Sequence, residues 1–228
     1  MITVTRPEAK YYLPKGLSSK NIDRFKQQGS EPWLNMRMPQ LLQERPGSVI
    51  SAGTYVGGLL PMLSKHASTV YAWEPVKEHH ACTQKMLRTN RIPNVILHRA
   101  ALGNSNDGID ITTGCSGSDW LGGASSIIVN GEVVSPLLTT GTWKWRTQHV
   151  AQHCIDDFEY DNLSILQLDL EGYELPALQG SLRTLRTHKP VLIIENPNSE
   201  LDTWIQEQGY SLLEHYAGDS VYKYTKGA

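Results

Sequence analysis

Five short, almost wholly apolar runs, spaced by stretches with helical patterning, most limit the folds open to this chain. They are Ser48-Val-Ile-Ser-Ala52, Thr69-Val-Tyr-Ala-Trp73, Asn94-Val-Ile-Leu-His98, Leu163-Ser-Ile-Leu-Gln-Leu168 and Pro190-Val-Leu-Ile-Ile194. A strand with one face in water alternates apolar and polar residues. A strand apolar throughout is buried on both faces, and a parallel sheet layered between helices provides that setting. Helices are expected from a Gly-containing turn through about His66, over Glu78–Asn90 (ended by Pro93), over Glu174–Thr187 and over Glu200–Gln208. Two further strands, Tyr210–Tyr216 and Ser220–Tyr224, flank a Gly218-Asp219 turn and predict an antiparallel hairpin at one sheet edge. The expectation is an α/β fold with a seven-stranded, mostly parallel sheet, a terminal antiparallel hairpin and helices on both faces.

Two segments stand outside this alternation. Residues 1–45 read as an N-terminal arm carrying a helix from about Pro32 to Glu44, ahead of a main domain over 46–228. Residues 103–147 are rich in Gly, Ser and Thr, with short strands expected at Ile109–Thr112 and Ser126–Val134. An insertion of that length between strands is expected to cover a substrate rather than to link domains.

Charge narrows the partners. Among 228 residues, 21 Lys and Arg nearly balance 23 Asp and Glu, for a net charge of −2. Neither nucleic acid nor an anionic membrane is therefore the expected partner. No apolar run approaches the roughly 20 residues of a bilayer span. Met1–Leu17 lacks the apolar core of a signal peptide. Cys82, Cys115 and Cys154 are odd in number and far apart, which predicts reduced thiols. A cytoplasmic protein is expected; its oligomeric state is not legible.

Three constellations carry chemistry. In Val49-Ile-Ser-Ala-Gly-Thr-Tyr-Val-Gly57 a strand runs into a turn where Gly53 and Gly57 would let backbone approach a ligand near a helix N-terminus. A tight turn with no ligand reads equally from glycines alone. Glu74 ends the second strand, and Pro75 stops the strand there. In nucleoside-binding α/β folds an acid at this place accepts hydrogen bonds from ribose hydroxyls. The third constellation is Leu168-Asp-Leu-Glu-Gly-Tyr-Glu174, at the strand end where open α/β sheets bind ligands. Glu174 reads as a first-turn acid favoured by the helix dipole. Asp169 and Glu171 share a face if extended, and Asp169, flanked by leucines, is hard to explain structurally. Glu195 adds an acid to the same rim and reads equally as structure or site.

Together these segments resemble the FkbM-type S-adenosylmethionine-dependent methyltransferases. The resemblance is carried by residues 49–57 with Ala-Trp-Glu-Pro (72–75), by Asn-Val-Ile-Leu-His-Arg-Ala-Ala-Leu-Gly (94–103), and by Leu-Gln-Leu-Asp-Leu-Glu-Gly-Tyr-Glu (166–174) continuing to Pro-Val-Leu-Ile-Ile-Glu (190–195). It implies a Rossmann-like class I methyltransferase sheet over about 46–216 and methyl transfer to a hydroxyl of a sugar, glycan or natural product. It further implies that Gly53, Thr54, Tyr55 and Gly57 line the methionine portion of S-adenosylmethionine, with Ser51 close to its amino group. Glu74, followed by Pro75, would hold the ribose, Ala100 and Ala101 would flank adenine, and Asp169 and Glu171 would face the methyl and the acceptor. Two positions depart from the family pattern. Ser51 stands where an acid is usual, and Gln167 where a basic residue is common.

The residue types suit the chemistry. A sugar hydroxyl is a poor nucleophile until it loses its proton, and Asp169 is the expected general base. A divalent metal clamping a diol between Asp169, Glu195 and another oxygen is a variant that the spacing does not require, so no metal is expected. His149 and His153 stand four apart with no third ligand at a suitable spacing. Trp143-Lys-Trp145-Arg146 interleaves aromatic and basic residues, which makes Trp143 and Trp145, with Glu195, the candidates for acceptor contact. Two other classes stay open. A nicotinamide-dependent oxidoreductase would want G-x-G-x-x-G, whereas here Gly53 and Gly57 flank Tyr55. A non-catalytic nucleoside-binding relic would account for Ser51.

Overall fold

The computed structural model describes residues 1–28, 31–115, 125–134 and 145–226. The chain begins with a hairpin, β1 (Ile2–Thr5) and β2 (Lys10–Leu13), followed by α1 (Ser19–Gln28) and α2 (Pro32–Glu44). Alternation then sets in, with β3 (Ser48–Ala52), α3 (Leu60–His66), β4 (Val70–Trp73), α4 (Lys77–Thr89) and β5 (Val95–His98). The inserted region holds β6 (Ala101–Leu102), β7 (Ile109–Cys115), β8 (Ile127–Val129), β9 (Glu132–Val133), β10 (Trp145–Val150) and β11 (Gln152–His153). A single 3-10 turn leads to β12 (Leu163–Leu168), α5 (Glu174–Gln179), α6 (Leu182–His188) and β13 (Val191–Glu195). The chain finishes with α7 (Ser199–Glu207), β14 (Tyr210–Tyr216) and β15 (Asp219–Tyr224).

The central sheet has seven strands in the order β14-β15-β13-β12-β3-β4-β5. Its five inner and β5-side strands run parallel, while β15 is antiparallel to β13 and to β14, as the sequence predicts. Alternate residues of each strand feed two cores. Val49, Val70, Ala72, Ile165 and Ile193 face α2, α3 and α4. Ile50, Trp73, Leu166, Leu192 and Ile194 face α5, α6 and α7. Burial on both faces is what the near-continuous apolar strands require.

Three details differ from the sequence reading. The arm is itself structured: β1 and β2 pair, and Val4, Tyr11 and Leu13 enter the same core as α3 and α4. Strands of four residues broken by Pro7 give little periodic signal. Their anchor is tertiary, since the Asn90 side chain accepts from Lys10 N–H and donates to Lys10 C=O, each at 2.9 Å. The helix expected over Glu174–Thr187 is interrupted at Gly180, where a Cβ would lie 2.1 Å from the Gly103 carbonyl oxygen. The strand expected over Ser126–Val134 folds back as the β8/β9 hairpin around Asn130-Gly131, whose φ values of 52° and 84° suit a two-residue turn of that type.

The insertion builds a second, antiparallel sheet in the order β10-β7-β8-β9, and β11 pairs in parallel with β6. His149 and His153 therefore sit on strands, not on one helix face, and His149 Nδ1 lies 2.8 Å from Asp110 Oδ1. Trp143 lies outside the described residues. Trp145 opens β10. Among the described residues no helix is long and apolar enough to cross a membrane.

Candidate active site

A cleft of about 550 Å³, counted with its open mouth, lies at the C-terminal ends of β3, β4 and β12. Open α/β sheets bind ligands there because the strand ends and the following turns leave a crevice. One wall is Gly53, Tyr55, Trp73, Glu74 and Pro75. Ala100, Ala101 and Leu102 form an apolar side, and the inserted sheet closes over it with Ile111 and Ile127. The last wall is the turn Asp169–Glu171 with Tyr173.

Backbone contacts hold the walls together. Gly53 N–H and Thr54 N–H both donate to the Trp73 carbonyl at 3.2 Å, and Asp169 N–H donates to the Ala52 carbonyl at 3.0 Å. Gly53 has φ +79°, and a Cβ there would stand 1.7 Å from the Asp169 carbonyl oxygen, so only glycine fits. Gly57 is needed for packing, since a Cβ there would meet Met86 Cε at 2.7 Å. Tyr55 adopts φ +50°, rare for a bulky residue. Thr83 holds it by donating from its hydroxyl to the Tyr55 carbonyl at 2.9 Å, and the ring meets His79 edge-on at 4.6 Å.

Glu74 is 4% exposed, and its Oε1 accepts from Val76 N–H at 2.8 Å. Glu74 N–H also donates to the His98 carbonyl at 3.1 Å, so the residue is held through its backbone as well as its carboxylate. Beside it, Trp73 stacks on His98 at 4.6 Å, and the indole N–H is buried with no hydrogen-bond partner. Thr54 Oγ1, next to Gly53, is a second buried polar atom without a partner. Such orphans are rare in native interiors and ask for a reason, such as a ligand that supplies the missing group.

The turn after β12 gathers acids. Glu174 Oε1 accepts from Leu170 N–H at 2.8 Å and from Gly172 N–H at 3.3 Å, closing a turn in which Glu171 and Gly172 have φ of 55° and 95°. Glu174 thus shapes the loop, while Asp169 and Glu171 are presented by it. Glu195, at the end of neighbouring β13, joins them, with one carboxylate oxygen from each of the three within 4.8 Å of the others. Burial above all, then the Glu195 charge and a hydrogen bond shared with Glu195, then Glu171 and Glu31, push the Asp169 carboxyl well above the usual range.

Asp219 lies directly across from Glu195 in the β13/β15 ladder and is 7% exposed. Burial, then the charges of Glu31 and Glu195, push its carboxyl up to about 7. An acid whose pKa rises on folding holds its proton more tightly in the folded state, so stability is lost as pH rises. In chelator-treated buffer the thermal midpoint is expected to fall as pH climbs from near 3.8 through about 7. Asp219→Asn should flatten that profile; coincident wild-type and variant profiles would refute the assignment.

Two departures noted in the sequence meet in space. Ser51 and Gln167 are register partners on β3 and β12, and Ser51 Oγ donates to Gln167 Oε1 at 2.7 Å. Both are buried, at 2% and 4% exposure. The two residues thus form a neutral hydrogen bond that engages the Ser51 hydroxyl. Ser51→Ala strands the Gln167 acceptor and is expected to cost about 1–3 kcal/mol in denaturant unfolding. Adding Gln167→Leu should recover most of that loss; an undisturbed single variant would show the bond to be idle.

A family model of the FkbM methyltransferase domain matches residues 52–212. The chain belongs to that family. Solved structures of methyltransferases share its fold. Methyltransferase FkbM from Methylobacillus flagellatus KT superposes with a TM-score of 0.52 at 19% identity, covering 90% of this chain and 59% of that one. The chain thus spans about three-fifths of that neighbour's length. The precorrin-6y C5,15-methyltransferase from Geobacter metallireducens GS-15 gives 0.50 at 10% identity, covering 95% and 94%. A search of the curated proteins finds no match.

Of the residues singled out from sequence, this member of the FkbM family brings Gly53, Tyr55, Glu74, Pro75, Ala100 and Ala101 to one cleft, with Asp169 and Glu171 on its far wall. Ser51, Thr54, Gly57 and Glu195 are not on that lining. Sequence reasoning missed Trp73, Ile111 and Ile127. Trp73 stands beside Glu74 in the strand and was legible as a wall residue. The other two depend on how the insertion folds back.

Proposed function

We propose that this methyltransferase transfers the methyl group of S-adenosylmethionine to a hydroxyl oxygen of a sugar, glycan or related polyhydroxy compound. The observation that carries the reading is a single cleft with a fixed buried carboxylate, Glu74, at one end and an acid rim around Asp169 at the other. The residues suit the cofactor. Ala100, Ala101 and Leu102 offer apolar contact to a flat base, Glu74 offers acceptors to ribose hydroxyls, and Trp73 N–H, on the cleft wall, lacks a partner among the described residues.

When bound, S-adenosylmethionine supplies a methyl group already activated on a sulfonium. The chain's own task is to orient and to manage a proton. Gly53 keeps the backbone low enough for close approach, and Val76 N–H holds Glu74 in one orientation. Ile111 and Ile127 exclude water from the apolar side. Asp169, in its deprotonated form, takes the proton of the acceptor hydroxyl. Positioned bases of this kind contribute about 10²–10⁴-fold, and alignment of reacting groups contributes roughly 7–11 kcal/mol. Free thiols at Cys82 and Cys154 suit a reducing, cytoplasmic setting.

Calorimetry with S-adenosylhomocysteine, the demethylated product, tests the reading against NAD. Saturable binding of the former alone is expected. Binding of NAD instead would replace the methyltransferase mechanism with hydride chemistry.

A further inference from the structure

The acid rim holds more carboxyl groups than a proton-accepting base needs. Asp169, Glu171 and Glu195 each place one oxygen within 4.8 Å of the others. Asp219, on the strand beside Glu195, is 7% exposed, and among the described residues its carboxyl has no side-chain hydrogen bond or ion pair. Residues directly opposite in an antiparallel ladder project to the same face, so the Asp219 carboxyl is turned toward Glu195. The charges acting most strongly on it are Glu195 and Glu31, both negative. Among the described residues no cation is among the charges acting on Asp169 either. A buried cluster of acids relieves its mutual repulsion either by keeping protons or by taking up a cation.

Spacing selects the kind of cation. Oxygens around an octahedral Mg²⁺ at roughly 2.0–2.1 Å stand about 3 Å apart when adjacent and about 4.2 Å apart when opposite. The three carboxylate oxygens, within 4.8 Å of one another, draw together to those spacings when an ion binds. Ca²⁺ takes about six to eight oxygens, more than this rim provides. Mg²⁺ binds through few carboxylates and keeps open positions for water or substrate oxygens.

We propose that Asp169, Glu171 and Glu195 form a binding site for one hard divalent cation, Mg²⁺ or Mn²⁺, with Asp219 behind Glu195 accepting from a metal-bound water. The existence of the site is independent of the methyl-transfer reading; its use there, to bind two neighbouring hydroxyls of the acceptor, rests on that reading. Asp169 has two oxygens, so ligation through one leaves the other for the hydroxyl proton.

Mn²⁺ binding to the full chain, followed by electron paramagnetic resonance, tests the site directly. One saturable Mn²⁺ per chain is expected, displaced by Mg²⁺ more readily than by Ca²⁺. Glu195→Gln should weaken it at least tenfold, and Asp219→Asn roughly tenfold, the scale of a lost outer partner. Asp23→Asn, on exposed α1, should leave binding unchanged. Circular dichroism shows whether each variant is folded; if Glu195→Gln is not, Asp219→Asn carries the test. Absence of saturable binding up to millimolar Mn²⁺, or binding indifferent to both variants, overturns the proposal. S-adenosylhomocysteine binding measured in chelator separates the two readings: its loss would sink methyl transfer and leave the cation site standing.

Discussion

Asp169→Asn is expected to lower turnover by about 10²–10⁴-fold while affinity for S-adenosylhomocysteine stays nearly unchanged. The substitution is close to isosteric, and the asparagine amide can still donate to Glu195, so the hydrogen bond between the β12 and β13 ends survives. What it cannot do is take a proton. The Asp169 backbone is fixed by its N–H bond to the Ala52 carbonyl, which the variant keeps. The measurement is initial rates on a hydroxylated acceptor found by screening, with calorimetry on the same preparations. Turnover within a few-fold of wild type would move the base elsewhere on the rim. A matching loss of cofactor affinity would instead make Asp169 a binding residue.

The second large effect concerns Glu74. Glu74→Gln is expected to weaken S-adenosylhomocysteine binding by about 10–100-fold, corresponding to the roughly 1.5–3 kcal/mol of a hydrogen bond to a charged group. Glutamine is the better test than alanine because its carbonyl oxygen can still accept from Val76 N–H, which Glu74 Oε1 does at 2.8 Å. The βα turn should therefore keep its shape, and an unaltered thermal midpoint would verify this. The amide that replaces Oε2 donates, whereas a ribose hydroxyl bound there would need an acceptor. Equal affinity in wild type and variant would put the nucleoside elsewhere in the cleft.

How much of this was legible in the sequence depends on where each constraint arises. The central sheet was, because burial on both faces forces Val49-Ile50 or Leu192-Ile193-Ile194 to be apolar without interruption. Its terminal hairpin was, because Gly218 marks the turn at φ +101°. The hairpin β1/β2 was not, since its stability comes from α4 rather than from its own four-residue strands. The individual acids of the rim were readable as strand-end carboxylates. Their place on one rim was readable too; that of Asp219 was not, because it arrives from a strand running the other way. Glu174 shows the limit of local reasoning: first-turn position explains its presence, but its work is to bond Leu170 and Gly172. Likewise Ser51 and Gln167 were each visible as departures, whereas their bond to one another is a property of strand register.

That register also fixes how the cleft can come into being. Strands β3 and β12 form a seam, and Ser51 and Gln167, 116 residues apart, face each other across it. Glu74 and Gly53 belong to the half of the sheet on one side, and Asp169, Glu195 and Asp219 to the half on the other. Neither half owns a complete pocket, so closing the seam and assembling the cleft are the same long-range event. Contacts between residues so distant in sequence form slowly. A ligand that grips both sides acts as a brace across the seam, and it is unfolding at that line, more than at the helices, that it should retard.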